Sequence, residues 1–467
     1  MARNAIRIGA VAAMVRSALL IGCAYPLMIA SPSAGAATID LTRYVAHFAR
    51  GTGHSMATAF FAVPGSARLM VDGASPAAPV TIQLNDQTLL LTDSSAARVV
   101  LLEDNTIAVA ASGTSDSPVS VRVKQQADVQ LQVKLRMHFN TNVSDFKASR
   151  EFYRELGFET LSGFPDTNTQ AMARAIGVST PTPYDGSAGD EAGGYLLHGE
   201  LIGLAGFRGG LIDLIEFSIP KNDEPPYPRL NHLGMARAAM YTTNIGADHA
   251  HLEQKGVNFL SAPVARSDGS RFAIFTDPDG TFYELIESPG GSDGAEPLDR
   301  PTHIDRLGAV TINVSDFERS RAWYQMLGYE LTQRLPGTES IEVARAMGFD
   351  EPFRIDGGIL THPADGSTIE LVQWISPYDP EPAYPLPVNH LGIGRIALAT
   401  DDIAADVASL KAQGVQFVSE ITPCCSGPDS WGSIVAFHDP DGAIVELVEQ
   451  PFLTTFYRIM SWLRDLF

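Results

Sequence analysis

The chain has 467 residues, of which 45% are hydrophobic and 19% are charged, and this composition excludes a mainly disordered protein. Its 54 acidic residues outnumber the 33 lysines and arginines, which gives a formal net charge of −21. Because nucleic-acid binders need a basic surface, the balance excludes a broad contact with nucleic acid, and it also excludes adhesion to anionic lipid by charge alone. We therefore expect a folded, multi-domain protein with no nucleic-acid partner.

Residues 1–36 have the pattern of a signal peptide. A basic start precedes a mostly apolar stretch over 17–30, and the small residues Ala34-Gly35-Ala36 follow as a cleavage pattern. The sequence thus predicts export to the periplasm or the extracellular space. The alternative is a lipid anchor at Cys23, because Leu20-Ile21-Gly22-Cys23 resembles a lipoprotein processing box.

Residues 38–134 contain short runs in which apolar and polar residues alternate, for example at 67–72 and 80–84, separated by turn residues. This pattern predicts a small antiparallel β-sandwich. Because the segment has no cluster of histidine, cysteine or acidic residues, we interpret it as an attachment or spacer module.

An internal repeat follows the predicted sandwich. Residues 143–159 return as 314–330 with ten of 17 positions identical, and Asp-Pro-Asp-Gly occurs at both 277–280 and 439–442. Two copies of one domain are therefore expected, copy one over 135–290 and copy two over 303–450, joined by a Gly- and Pro-rich linker.

Each copy has the order strand, helix, strands, twice over, which indicates an α+β domain whose sheet is covered by helices on one face. The adjacent Cys424 and Cys425 are interpreted as loop cysteines without a structural role rather than as a vicinal disulfide. Residues 451–467 predict an amphipathic C-terminal helix, which either docks on protein or lies as a peripheral contact on a membrane surface. The oligomeric state does not follow from the sequence.

A strand that ends in Val-Ser-Asp, a helix with Phe-Tyr, then Leu-Gly-Phe, and later Asp-Pro-Asp-Gly-x-x-x-Glu-Leu resembles the vicinal oxygen chelate superfamily, which includes glyoxalases, bleomycin-resistance proteins and extradiol dioxygenases. The resemblance covers both copies. It implies paired βαβββ modules whose sheets curl into a cup, and a divalent metal in that cup that binds two adjacent oxygens of a substrate.

The resemblance also implies metal-ligand positions, which can be read one by one. Both copies have arginine where the family has a metal-binding histidine, and copy two has alanine at the first position. Copy one offers His138, Asp213, Arg237 and Glu284, and copy two offers Ala309, Glu370, Arg395 and Glu446. The resemblance thus implies one zinc, iron or manganese ion on His138, Asp213 and Glu284, and no metal in copy two.

Two other roles are open for the arginines. In the first, Arg237 pairs with Asp213 and Glu284, and Arg395 pairs with Glu370 and Glu446, so that a salt-bridge cluster replaces the cation. In the second, the arginine holds a substrate oxyanion and the adjacent acid acts as a general base. The candidate catalytic residues are Arg237, Glu284 and His138; the candidate substrate-binding residues are Asn140, Arg237, Arg395, Glu370 and Glu446.

The sequence therefore predicts an exported glyoxalase-like protein that acts on a small oxygenated molecule in the cup of copy one. The expected reaction is of the lyase, isomerase or dioxygenase type, and copy two is expected to be degenerate. The alternative is a non-catalytic protein that binds a small molecule, or a scaffold, with salt-bridged and metal-free cups.

Overall fold

The computed structural model describes residues 37–48, 57–92, 96–111, 119–129, 131–163, 167–168, 170–178, 195–204, 209–290, 300–379, 384–424 and 432–449. The predicted signal peptide and the predicted C-terminal helix lie outside these residues. Within them, no helix has the length and apolar character needed to cross a membrane.

The N-terminal part is an all-β sandwich, as the alternating pattern predicts. Its strands are β1 (Ala37–Phe48), β2 (Ala57–Phe61), β3 (Gly65–Asp72), β4 (Val80–Leu84), β5 (Gln87–Leu91), β6 (Ala96–Leu101), β7 (Asp104–Ala111) and β8 (Val119–Val129). They form two four-stranded sheets with the orders β1-β8-β3-β6 and β2-β7-β4-β5. Alternate residues such as Val80, Ile82 and Leu84 are buried between the sheets, and this apolar core holds the sandwich together.

The two copies follow with the predicted order of strand, helix and strands, except that a further short helix lies among the strands in the first half of each copy. Copy one contains β9 (Val133–Asn142), α1 (Phe146–Glu155), β10 (Glu159–Gly163), β11 (Thr167–Asn168), α2 (Gln170–Ala175), β12 (Tyr195–Gly203), β13 (Leu211–Ile219), β14 (Gly234–Thr242), α3 (Ile245–Gln254), β15 (Asn258–Phe259), β16 (Val264–Ala265), β17 (Arg271–Thr276) and β18 (Phe282–Glu287). Copy two contains β19 (Ile304–Asn313), α4 (Phe317–Met326), β20 (Glu330–Arg334), α5 (Ile341–Ala346), β21 (Arg354–Thr361), β22 (Thr368–Ser376), β23 (Gly392–Thr400), α6 (Ile403–Ala412), β24 (Thr422–Cys424), β25 (Gly432–His438) and β26 (Ile444–Glu449). The α+β class is confirmed.

The sheets do not follow the boundaries of the copies. One nine-stranded sheet has the order β10-β12-β13-β9-β23-β26-β25-β24, with β11 as its ninth strand beside β12. The other has the order β15-β17-β18-β14-β19-β22-β21-β20, with β16 as its ninth strand beside β17. Each sheet thus joins one half of copy one to the opposite half of copy two, through the antiparallel pairs β9–β23 and β14–β19. We call the sheet with β9 and β23 the first cup, and the sheet with β14 and β19 the second cup.

Two equivalent asparagines hold the paired strands of the two copies together. The Asn142 side-chain amide donates to the carbonyls of Val388 and His390 at 2.8 and 2.7 Å. In the other cup, the Asn313 amide donates to the carbonyls of Leu230 and His232 at 2.8 and 2.6 Å. Buried carbonyls need hydrogen-bond partners. Each asparagine is the last residue of its strand, and it supplies these partners to the loop before the neighbouring strand, which belongs to the other copy.

The most similar motifs of the repeat join the two halves of the same copy. In copy two the Ser315 amide and hydroxyl donate to Asp441 of the Asp-Pro-Asp-Gly loop at 3.0 and 2.6 Å, and Ser144 and Asp279 make the same two contacts in copy one. The Asp that follows each serine caps the next helix. These motifs therefore have a structural role.

A buried carboxyl lies behind this loop in copy one. Asp277 accepts hydrogen bonds from the amides of Asp279 and Thr281, at 3.0 and 2.8 Å, and from the Tyr153 hydroxyl at 3.2 Å. Burial is the main cause that raises the pKa of Asp277, to about 7. The neutral carboxylic acid is therefore the better-tolerated form in the folded protein.

This raised pKa gives a testable pH dependence. Because the folded pKa of Asp277 exceeds its unfolded value of about 4, the stability that the protonated group contributes is fully present below about pH 4 and is lost as the pH rises through about 7. We expect Asp277→Asn to gain stability relative to the unsubstituted protein across this window, by up to about 4 kcal/mol. Urea unfolding of both proteins at about pH 4 and about pH 8 measures the difference; a pH-independent difference contradicts the assignment.

The sandwich is anchored on copy two. The Arg43 guanidinium donates to the carbonyl and to the side-chain oxygen of Gln413, both at 2.8 Å. The Arg122 guanidinium lies 3.3 Å from Asp316, the residue that caps α4. These contacts attach the sandwich to the helical side of copy two.

Cys424 forms a disulfide bond, which the sequence analysis did not favour. It lies buried in β24, at the edge of the first-cup sheet, and it is disulfide-bonded. Its interpretation as a loop cysteine without a structural role is therefore wrong.

Candidate functional site

The second cup is built around Arg237, which β14 places in register with Thr311 of β19. The Arg237 Nε donates to Glu284 at 2.8 Å, and its Nη2 donates to Glu370 at 2.7 Å. The Thr311 hydroxyl also donates to Glu370, at 3.0 Å, and Arg266 donates to the second oxygen of Glu284. One arginine thus holds a carboxylate from each copy.

Charge is balanced in this cluster. Burial alone would raise the pKa of Glu284, but Arg266 and Arg237 outweigh it and hold the pKa at about 2. The carboxylates in turn raise the pKa of Arg237 against the effect of its burial. Because Glu284 is this acidic and both of its oxygens are bound to arginine, it is a weak candidate for a general base.

A cavity of about 220 Å³ opens over this cluster. Its floor includes Arg237, Glu284 and Glu370, and most of its wall is apolar, with contributions from Tyr241, Ile286, Met347, Phe353, Ile355 and Trp374. The Glu370 side chain is 15% exposed, whereas the Glu284 side chain is 3% exposed, so Glu370 is the carboxylate that a molecule in the cavity would meet.

The first cup contains the equivalent arginine, Arg395, in register with Asn140 of β9. Its Nη2 donates to Asp213 at 3.0 Å, and its Nε lies 2.7 Å from Glu446 Oε1. The His138 Nδ1 lies 3.9 Å from the same Asp213 oxygen. The side chains of these four residues are only 2–8% exposed.

Burial dominates the electrostatics of the first cup. It raises the pKa of Asp213 to about 7 despite the nearby Arg395, and it also raises the pKa of Glu446. Burial together with Arg395 lowers the pKa of His138 to about 3, so the imidazole is neutral at pH 7. Among the described residues of this cup, a single guanidinium therefore faces two carboxyl groups, without a counterpart of Arg266.

The predicted grouping of site residues by copy is wrong. Arg237 pairs with Glu284 and Glu370, not with Asp213, and Arg395 pairs with Glu446 and Asp213, not with Glu370. The proposed set of His138, Asp213 and Glu284 does not form one site, because β9 and β13 lie in one sheet and β18 lies in the other. Each cup takes two of its positions from each copy.

Asn140, predicted to bind substrate, has structural partners in the first cup. Its Nδ2 donates to Asn142 at 2.7 Å, and its Oδ1 accepts the Gly394 amide at 3.2 Å. Arg266 and Thr311 were not predicted. When the two Asp-Pro-Asp-Gly loops are aligned, the residue of copy two that is equivalent to Arg266 is Pro428. The repeat therefore gave no signal for Arg266.

The fold and the paired cups agree with the comparison to known families. The model of the Glyoxalase/Bleomycin resistance protein/Dioxygenase superfamily matches residues 137–285 and 306–447, which together make up more than half of the chain. The chain belongs to this superfamily. The match confirms both the resemblance and the two tandem copies, and members of this superfamily are usually enzymes that act on small molecules.

Solved structures of this superfamily are similar to the chain. Glyoxalase I from Zea mays is 18% identical, with 70% of this chain and 95% of the maize chain covered and a TM-score of 0.46. The Mn(II)-bound glyoxalase from Novosphingobium aromaticivorans is 13% identical, with coverages of 68% and 83% and a TM-score of 0.21. A glyoxalase family protein from Bacillus cereus is 21% identical, with coverages of 34% and 98% and a TM-score of 0.28. No curated protein matches the chain.

Superfamily members commonly bind a divalent metal, but the residues of neither cup fit one. In the second cup Ala309 offers no ligand, and the carboxylates are bound to arginines. In the first cup the Arg395 guanidinium contacts both Asp213 and Glu446, and its fixed charge would repel a divalent ion at this distance. No group of three or more His, Cys, Asp and Glu side chains among the described residues is arranged to hold a metal ion.

Proposed function

We propose that the protein binds a small, largely apolar molecule in the second cup without a divalent metal. The observation that supports this most directly is the Arg237 guanidinium, fixed between Glu284 of copy one and Glu370 of copy two under an open cavity of about 220 Å³. The guanidinium stands where the superfamily resemblance places a metal-binding histidine, so the polar floor of the cavity is made by protein groups alone.

The walls determine the kind of molecule. Trp374, Phe353 and Met347 line one region of the cavity, and Tyr241 and Ile286 line another. Ligand pockets of this composition bury most of an apolar ligand and orient it through a few polar groups. A bicyclic aromatic ring with one polar substituent is the class that we propose.

The charges determine the polar substituent. On the floor, Arg237 and Arg266 are already paired with Glu284 and Glu370, so an added anionic group would find no free cation there. Asp268 and Glu339 also line the cavity and add negative charge, which disfavours an anion further. A hydroxyl therefore suits the site better than a carboxylate, because it can donate to Glu370.

Calorimetric titration with naphthalenemethanol and naphthoate tests the proposal. We expect the alcohol to bind at least about tenfold more tightly than the carboxylate, and dialysis against EDTA to leave its affinity unchanged. Glu370→Gln should weaken the alcohol about tenfold, the usual effect of losing a hydrogen bond to a charged group.

Glu330→Gln provides the matched control, because this glutamate lies exposed on β20, outside the cavity lining. It should change the affinity less than twofold. Loss of binding after EDTA treatment contradicts a metal-independent site, and equal binding of naphthoate contradicts the charge argument. Circular dichroism establishes that each variant is folded.

Lyase, isomerase or dioxygenase activity stays a prediction from the superfamily resemblance, as does the substrate. We also propose export to the periplasm or the extracellular space, which the pattern of residues 1–36 supports. The mass of the mature chain tests this: cleavage after Ala36 agrees with a signal peptide, whereas a lipid-modified Cys23 supports the anchor instead.

A further inference from the structure

Tyr241 contributes a hydroxyl to the second-cup cavity that has no role so far. Arg237, Ala239 and Tyr241 are alternate residues of β14, and all three line the cavity. Among the described residues, the Tyr241 hydroxyl makes no hydrogen bond, and its oxygen is accessible rather than enclosed. The side chain therefore offers a polar contact that a molecule in the cavity can use.

Two residues of β19 hold the Tyr241 ring in place. The Arg306 guanidinium carbon lies 4.1 Å from the ring centroid. Gly308 leaves room for the ring, because a Cβ atom at this position would lie 2.7 Å from Tyr241 Cε2. At the equivalent positions of the first cup, Ala399 stands in place of the tyrosine and Met137 in place of the glycine. The hydroxyl at this position is thus a feature of the second cup.

The charges of the cavity floor act on this hydroxyl. Burial raises the pKa of Tyr241 and outweighs the opposing effect of Arg306, and the carboxylates of Glu284 and Glu370 raise it further. The phenol is therefore neutral at pH 7 and keeps a proton to donate. Because the floor carboxylates influence it, the hydroxyl lies on the cavity side of the sheet.

Glu370 has one oxygen free for a ligand. Its two protein donors, Arg237 and Thr311, both bind Oε1, so Oε2 has no partner among the described residues. Thr311 is in register with Glu370 on one side and with Arg237 on the other, and Tyr241 lies four residues beyond Arg237. Four residues span about 13 Å of strand. One molecule can therefore contact Glu370 and Tyr241 with opposite ends.

We propose that Tyr241 donates a hydrogen bond to a second oxygen of the ligand, an ether or carbonyl oxygen at the end of the bicyclic ring opposite the hydroxyl that binds Glu370. This inference rests on the proposed function, and it adds one oxygen to the class of molecule proposed there. A carboxylate is disfavoured at this end as well, because Asp268 and Glu339 also line the cavity.

Two naphthalenemethanols that differ in one group test the inference by calorimetric titration. 6-Methoxy-2-naphthalenemethanol carries the second oxygen, and 6-ethyl-2-naphthalenemethanol has a carbon in its place. The unsubstituted protein should bind the methoxy compound about fivefold more tightly, the effect of one neutral hydrogen bond, although the ethyl compound is more apolar. Tyr241→Phe keeps the ring but removes the hydroxyl. It should abolish this preference and change the affinity for the ethyl compound less than about twofold.

Tyr378→Phe is the matched control, because Tyr378 is 60% exposed and lies outside the cavity lining. It should leave the preference for the methoxy compound unchanged. If Tyr241→Phe does not fold, Gly308→Ala takes its place, since the added methyl group displaces the Tyr241 ring and should reduce the preference. Circular dichroism establishes which variants are folded.

The inference is overturned if the unsubstituted protein binds both compounds equally. It is also overturned if the preference persists in folded Tyr241→Phe, because the donor is then another group of the lining, such as Ser267, Ser288 or Gln333. In both cases, binding of the alcohols that depends on Glu370 leaves the proposed function intact. Absence of binding by both compounds contradicts the proposed function, and this inference with it.

Discussion

Replacing Arg395 with methionine will lower the free energy of unfolding by about 3–5 kcal/mol, because it leaves the buried Asp213 and Glu446 carboxyls without their cation. Methionine fills much of the space of the arginine stem, so the effect measures the charge more than the volume. Chemical unfolding followed by circular dichroism measures this change in the free energy of unfolding. If the domains unfold in separate transitions, the first transition is evaluated.

The partners of Arg395 provide the controls for this substitution. Adding Asp213→Asn and Glu446→Gln to Arg395→Met should restore most of the lost stability, because no buried charge is then uncompensated. Adding Glu370→Gln should restore none, since Glu370 lies in the second cup and contacts Arg237. A rescue by Glu370→Gln would contradict the exchange of halves between the copies.

Replacing Arg395 with histidine will create a divalent-metal site in the first cup. The guanidinium lies among His138, Asp213 and Glu446, and an imidazole in its place completes two nitrogen and two carboxylate ligands, a set that zinc accepts. We expect about one zinc per chain after dialysis, measured by elemental analysis, and loss of that zinc when His138→Ala is added.

The equivalent change in the second cup is the matched comparison. In the Arg237→His variant, Ala309 still offers no ligand atom and Arg266 still binds Glu284. We therefore expect no stoichiometric zinc in this cup. If both substitutions bound zinc equally, the asymmetry described for the two cups would be wrong. If neither did, the first-cup side chains would not be arranged as described.

Much of the fold follows from the sequence by local rules. The alternation in residues 80–84 places Val80, Ile82 and Leu84 inside the sandwich, and Asp145, a residue type that commonly caps helices, caps α1. The sequence also predicts which face of its strand each arginine and each acid lies on, because the side chains on one face of a strand recur every second residue. Both arginines form salt bridges with carboxylates, as the interpretation of a salt-bridge cluster predicts.

The identity of the partners could not be predicted in this way. Asp213 and Glu370 occupy equivalent positions in two nearly equivalent strands, so the sequence of either copy pairs equally well with its own second half or with that of the other copy. Arg266 escaped prediction for a related reason, because it lies in a loop that has no periodicity and no counterpart in the repeat.

The sequence by itself determined the sandwich, the two copies, the superfamily and the presence of an arginine on the corresponding strand of each copy, because strand periodicity and short motifs are local properties of the chain. Only the tertiary structure decided that β9 pairs with β23 and β14 with β19, and hence which acid faces which arginine. The physical reason is that strand pairing across a repeat is a choice between near-identical surfaces, so no local pattern distinguishes pairing within a copy from pairing between copies. The equivalent contacts of Asn142 and Asn313 stabilise the pairing that the folded protein has.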